Sequence, residues 1–158
     1  MSMERKTEAL QASDTNLLIE VGTSYMADYS GEKFYSLTTQ RDRWKYTFSH
    51  WNTYHRSAWS VESHPTWGAT RIPAHNVLSV TNTIYTHDFT ENFEFFFDLG
   101  LAYSDSVTRV TSSHLLFKEN LGFRYKDVFL TLTHSSNAGL KGVNTGEDGL
   151  KIGYRVSW

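Results

Sequence analysis

Along most of the chain, apolar side chains recur at every second position. The clearest run is Phe93, Phe95, Phe97, Leu99, Leu101 and Tyr103, which alternates with Glu94, Asp98, Gly100, Ala102 and Ser104; only Phe96 breaks the pattern, on the polar side. A period of two predicts β-strands with one apolar and one polar face. The same alternation starts near Asn16, with Leu17, Ile19, Val21, Tyr25 and Ala27 on one face and Glu20, Gly22 and Ser24 on the other. It returns weakly from Lys33 to Gln40, strongly in Trp44, Tyr46 and Phe48, and with less definite phase from Asn76 to His87. Leu115, Phe117, Leu121, Phe123 and Tyr125 share a face in a sixth strand, and two more strands run from Val128 and from Leu150 to Trp158.

These segments make about eight strands of roughly 9 to 14 residues, which suits tilted strands crossing a bilayer. Turn residues at Asp28 to Glu32, Arg41 to Arg43, Asp88 to Glu91 and Lys126-Asp127 separate them, while the stretch from His55 to His75, with both prolines, is the longest irregular one. Connections two, four and six are short, and three, five and seven tend to be longer. Short periplasmic turns and long outer loops produce that pattern, although the first outer connection reads as short. The expected fold is all-β: an eight-stranded antiparallel up-and-down transmembrane β-barrel over residues 16–158, with 1–15 as a polar segment outside it.

Composition narrows the partners. A net charge of -2 with seven histidines provides no basic field for nucleic acid, and the absence of cysteine excludes disulfides and thiolate metal sites. No apolar run is long enough for a membrane helix, which leaves barrels untouched. The start, Met1-Ser2-Met3-Glu4-Arg5-Lys6, is charged and is not a secretory signal peptide. Placement in a bacterial outer membrane therefore assumes that a signal has been removed.

Polar residues opposite the apolar stripes, among them Glu20, Lys45, Glu94, Asp98, Lys118 and Arg124, would fill the interior of such a barrel. Periodicity alone equally permits a soluble lipid-binding barrel of lipocalin type with its apolar faces inward. Two features favour the membrane. Lys151-Ile152-Gly153-Tyr154-Arg155-Val156-Ser157-Trp158 resembles the C-terminal signal of outer-membrane barrels, and the first strand reads Gly22-Thr23-Ser24 where a lipocalin would carry Gly-x-Trp.

The candidate chemistry lies in the last two strands. Alternation places His134 and Ser136 on the apolar face with Val128, Leu130 and Leu132, and Ser135 on the other; extended back from Trp158, it places Asp148 on the apolar face and Glu147 opposite. A histidine can activate a serine hydroxyl when a carboxylate holds its second ring nitrogen. Glu119 also falls on an apolar face, with Leu115, Phe117 and Leu121, where it supports the site or is turned inward by a bulge. His50, His55, His64, His75, His87 and His114 lack metal-ligand spacing, so no metal or cofactor is expected. Trp44, Phe95, Phe97 and Tyr154 line an apolar groove or, more simply, face lipid.

His134-x-Ser136-Asn137-Ala138-Gly139-Leu140 followed by Asn144-x-Gly146-x-Asp148 is similar to the paired elements of the PagL-type lipid A 3-O-deacylases. The resemblance implies an esterase that releases the 3-O-linked hydroxyacyl chain of lipid A in the outer leaflet. It makes Ser136 the nucleophile, His134 the base, Asn137 the oxyanion stabiliser and Asp148 the acid, with Gly139 and Asn144 in support. The family acid is usually glutamate, which keeps Glu147 as a rival. Lipid A or lipopolysaccharide is the implied substrate; a homodimer and a monomer are both open. The competing readings are a small non-catalytic outer-membrane barrel and a soluble lipid-binding barrel.

Overall fold

A computed structural model describes residues 15–24, 32–67, 71–108, 111, 113–137 and 146–157. Eight long antiparallel strands close into a barrel: β1 (Thr15–Ser24), β2 (Lys33–Arg41), β3 (Trp44–Trp51), β6 (His75–Asp88), β7 (Phe93–Ser104), β8 (Leu115–Tyr125), β9 (Val128–Ser136) and β10 (Glu147–Ser157), with β10 paired back onto β1. Closure leaves no strand edge, as a bilayer requires. The segment after β3 is not irregular throughout: it holds a two-stranded hairpin, β4 (Tyr54–His55) with β5 (Arg71–Ile72), and a short helix, α1 (Ala58–Ser63), capped by Ser57, whose side chain accepts from the Ser60 N–H. The expected polar segment 1–15 falls outside the described residues except for Thr15, which already belongs to β1. Tyr25, Ala27 and the terminal Trp158 also fall outside them.

Asp42-Arg43 and Lys126-Asp127 make two-residue connections, and Asp42 and Lys126 adopt positive φ of 55° and 54°, the conformation tight hairpins demand at their first central residue. These turns and the one at residues 89–92 mark the periplasmic end, and the longer connections mark the outer end. The indefinite phase of the fourth long strand has a physical cause. Its register with β7 shifts between Thr83 and Tyr85, so residues on either side of the bulge do not share one alternation.

The apolar faces point outward. Ile19, Leu37, Phe48, Leu78, Leu101 and Ile152 are all exposed, whereas Glu20, Lys45, Asp98, Lys118 and Lys151 are buried inside. Apolar-out with a polar interior is a membrane barrel and rules out the lipocalin arrangement. Trp44, Tyr85, Phe89, Tyr125 and Tyr154 ring the periplasmic end of this band.

Inside, the charges are paired. Glu20 accepts from Lys151 Nζ at 3.1 Å and from Ser36 and Thr38; Lys45 Nζ lies 2.9 Å from Asp98, which also takes hydrogen bonds from Thr83 and Asn120. Phe96, the residue out of step with its strand, packs inward with Leu18 and Phe129, and Lys45 Nζ stands 3.8 Å from the centre of its ring. Glu94 and Arg124 line a polar vestibule of about 460 Å³ at the periplasmic mouth. The outer mouth is closed by an apolar cluster of Phe34, Trp51, Tyr54, Ile72, Val77 and Leu116, so the β4–β5 hairpin is anchored into the lumen.

Candidate active site

β9 and β10 are joined at the outer end, and their register is unbroken from Glu147 opposite Ser135 to Tyr154 opposite Val128. No bulge intervenes at Gly149. Its lack of a side chain instead makes room for the inward-pointing ring of Phe34, whose atoms would lie 2.6 Å from an added Cβ. The register sets Asp148 directly opposite His134, at a Cβ spacing of about 5 Å for such pairs. Both side chains point to the outer wall, and His134 Nδ1 is hydrogen-bonded to Asp148 Oδ1. With Nδ1–H donating to the carboxylate, Nε2 of the neutral ring is left without a proton and can accept one.

Ser136 stands two residues beyond His134 on the same face, and its neighbour Ser135 is buried on the other. Asn137 follows at the end of the strand and is also buried. Gly146 stands at φ 76°, and a Cβ there would run into the His134 imidazole. Only glycine satisfies both the backbone angle and this close approach. The motif containing Gly146 was visible in the sequence, but its contact with the histidine was not. Gly139 and Asn144 lie outside the described residues.

Glu119 lies directly opposite His134 on the other side, so β8, β9 and β10 carry one outward row of Glu119, His134 and Asp148. No bulge turns Glu119 inward. Charge on the lipid-facing wall costs least near the interface, about 0–1 kcal/mol there for the more costly cations, and this row sits at the outer end. Below it, Phe97, Glu119, Leu121, Leu132 and His134 line a groove of about 120 Å³. Of the four aromatics considered as groove residues, Phe97 alone lines it.

Glu147 is part of a different arrangement. It points into the lumen, 2 % exposed, where its Oε2 accepts from the Tyr54 hydroxyl at 2.7 Å and pairs with His75 Nε2 at 2.8 Å. His75 Nδ1 meets the Pro73 carbonyl at 2.8 Å. Both ring nitrogens thus face acceptors, the arrangement of an imidazolium. In the sequence His75 is only one of six histidines without metal-ligand spacing, and Tyr54 carries no signal, because their partner lies far away in the chain.

A family model for the lipid A 3-O-deacylases (PagL) matches residues 19–157, nearly the entire barrel. The chain belongs to the PagL family. A PagL protein is a lipid A 3-O-deacylase, so this chain is a hydrolase, and the apolar outer wall of its barrel seats it in the outer membrane beside its lipid substrate. Among solved structures, a crystal structure of the outer-membrane enzyme PagL is 16 % identical, with a TM-score of 0.48 over 89 % of this chain and 98 % of that one. The N-terminal β-barrel domain of Pseudomonas aeruginosa OprF is 13 % identical, with a TM-score of 0.46 over 91 % and 99 %. No curated protein sequence matches significantly.

Proposed function

We propose that this member of the family hydrolyses the 3-O-acyl ester of lipid A through Ser136, His134 and Asp148 on the lipid-facing wall. His134 Nε2 removes the proton from the Ser136 hydroxyl as its oxygen attacks the ester carbonyl, and Asp148 holds the ring and stabilises the imidazolium that forms. The negative charge on the tetrahedral carbonyl oxygen is met by donors at Asn137, either its side-chain amide or backbone N–H groups beside it. His134 then returns the proton to the departing sugar hydroxyl. Water attacks the acyl-serine by the same route in reverse and frees the fatty acid.

The observation that carries this reading is the hydrogen bond from His134 to Asp148 on the outward face, with Ser136 two residues on along that face. An acyl ester in the outer leaflet reaches such a wall sideways, without leaving the bilayer. Mass spectrometry of lipid A before and after incubation with the purified protein tests it. The expected product has lost one hydroxyacyl chain, and Ser136→Ala and His134→Ala yield none while still migrating as folded, heat-modifiable barrels. Product from either variant at the wild-type rate would remove these residues from the mechanism.

A further inference from the structure

Pairing the charges inside the barrel leaves one over. Among the described residues, the buried carboxylates of the barrel strands are Glu20, Asp98 and Glu147, and each already has its cation: Lys151, Lys45 and His75. Lys118 is the fourth buried cation of these strands, and it has no hydrogen-bond or ion-pair partner among the described residues. Its neighbours in register on the inner face are Gly100 on β7 and Ser135 on β9, neither of them charged. One row nearer the periplasm, Asn120 and Thr133 keep unpaired side-chain oxygens, which can solvate an ammonium but not neutralise it. A charge so placed costs stability, and an apolar residue of similar volume would cost less.

The wall it backs has the opposite imbalance. His134 lies between Glu119 on β8 and Asp148 on β10, two carboxylates with no cation on that outward row among the described residues. Both attract a proton onto the ring, yet His134 can take the serine proton only while it is neutral. Lys118 immediately precedes Glu119 and stands opposite Ser135, which immediately follows His134, so its side chain leaves the wall on the inner side of the histidine. Its charge is felt at both His134 and Asp148. Glu147, the other charge on the inner side of this stretch, is taken by His75 and Tyr54. Buried charges are screened far less than exposed ones, so the field of the ammonium carries through the wall.

We propose that Lys118 is a positioning residue for the proton relay: its buried charge offsets the two outer carboxylates and keeps His134 in the unprotonated form that accepts from Ser136. This rests on the triad proposed above and adds a residue from the inner face of the wall. A unit charge about 10 Å away, at an effective dielectric constant of about 20, moves a proton equilibrium by about one pH unit. The effect is read below neutral pH, where the amine holds its own proton.

The test is the pH profile of kcat/KM for fatty acid release from lipid A in mixed micelles with a neutral detergent, where ionisation of the substrate is common to every variant. Wild-type protein is expected to lose activity towards acid pH as His134 takes a proton. Lys118→Met should move that acid limb up the pH scale by about one unit, with the rate above the limb within about threefold of wild type. Lys118→Gln, which keeps a polar reach without the charge, should move it equally, and Lys118→Arg should leave it in place. The Met variant should unfold no earlier than wild type when followed by the heat-modifiable band. A limb that stays put in both uncharged variants overturns the proposal, whether or not the rate above it falls, and so does a limb that moves as far with Arg as with Met. A wild-type profile without an acid limb overturns both this proposal and the role of His134 as base.

Discussion

Two histidine–carboxylate pairs meet back to back at the start of β10, and their carboxylates are consecutive residues. Glu147 turns into the lumen, where His75 is bound at both ring nitrogens, stacks parallel to Trp51 at 6.1 Å between ring centres and shares the carboxylate with Tyr54. Asp148 turns outward, where His134 gives up one nitrogen only and its side chain remains 38 % exposed. The same two functional groups serve as a tie in one case and, in the mechanism we propose, as a proton acceptor in the other. What separates them is the nitrogen left uncommitted and the solvent it faces.

The sharpest way to break this comparison is to neutralise each acid in turn. Asp148→Asn should lower kcat by about 10³–10⁴-fold, because the amide no longer selects the productive ring tautomer. Glu147→Gln should leave hydroxy fatty acid release within about tenfold of wild type. Equal losses from the two variants would mean that the inner pair takes part in the chemistry. Next in size is Gly146→Ala, in which an added methyl group displaces the imidazole; about 10²-fold of kcat is expected to go, with the barrel intact, as for a misplacement of about 1 Å.

A smaller effect, and one on stability, should follow breakage of the inner pair. Removing one member of a buried ion pair typically costs about 3–5 kcal/mol, so Glu147→Gln should unfold at a lower temperature when followed by the gel shift of the heat-modifiable band. An unchanged midpoint would deny the pair its structural role. Smallest of all, a chelator should leave the rate unchanged, since in the proposed mechanism serine, histidine and aspartate supply nucleophile, base and acid among themselves. Loss of activity that one divalent cation restores would contradict this.

Much of this comparison could be read in the sequence, because alternation is strict wherever one face is buried. It put Ser136 and Asp148 on the outward face and Ser135 and Glu147 on the inward one, and the uninterrupted β9–β10 register keeps all four there. The inner pair was illegible for a different reason: Tyr54 lies 93 residues from Glu147 and His75 lies 72 residues away, and no local pattern encodes such pairings. The bulge at Thr83 to Tyr85 blurred one strand for the same reason, since it is defined by the partner strand. Helix α1 spans only Ala58–Ser63, too short to display a period, and depends on its Ser57 cap and on Arg56, which donates to the carbonyls of Ser60 and His64.

The paired charges of the lumen carry a consequence for the cell. Between the Glu20–Lys151 and Lys45–Asp98 bridges the remaining space is about 10 Å³, roughly enough for one water molecule, and the cluster around Tyr54 closes the outer mouth. Ions need a continuous file of water to cross, and among the described residues this interior offers none. A bacterium can therefore raise the copy number of the enzyme, and with it the rate at which its surface lipid is remodelled, without making its permeability barrier leak.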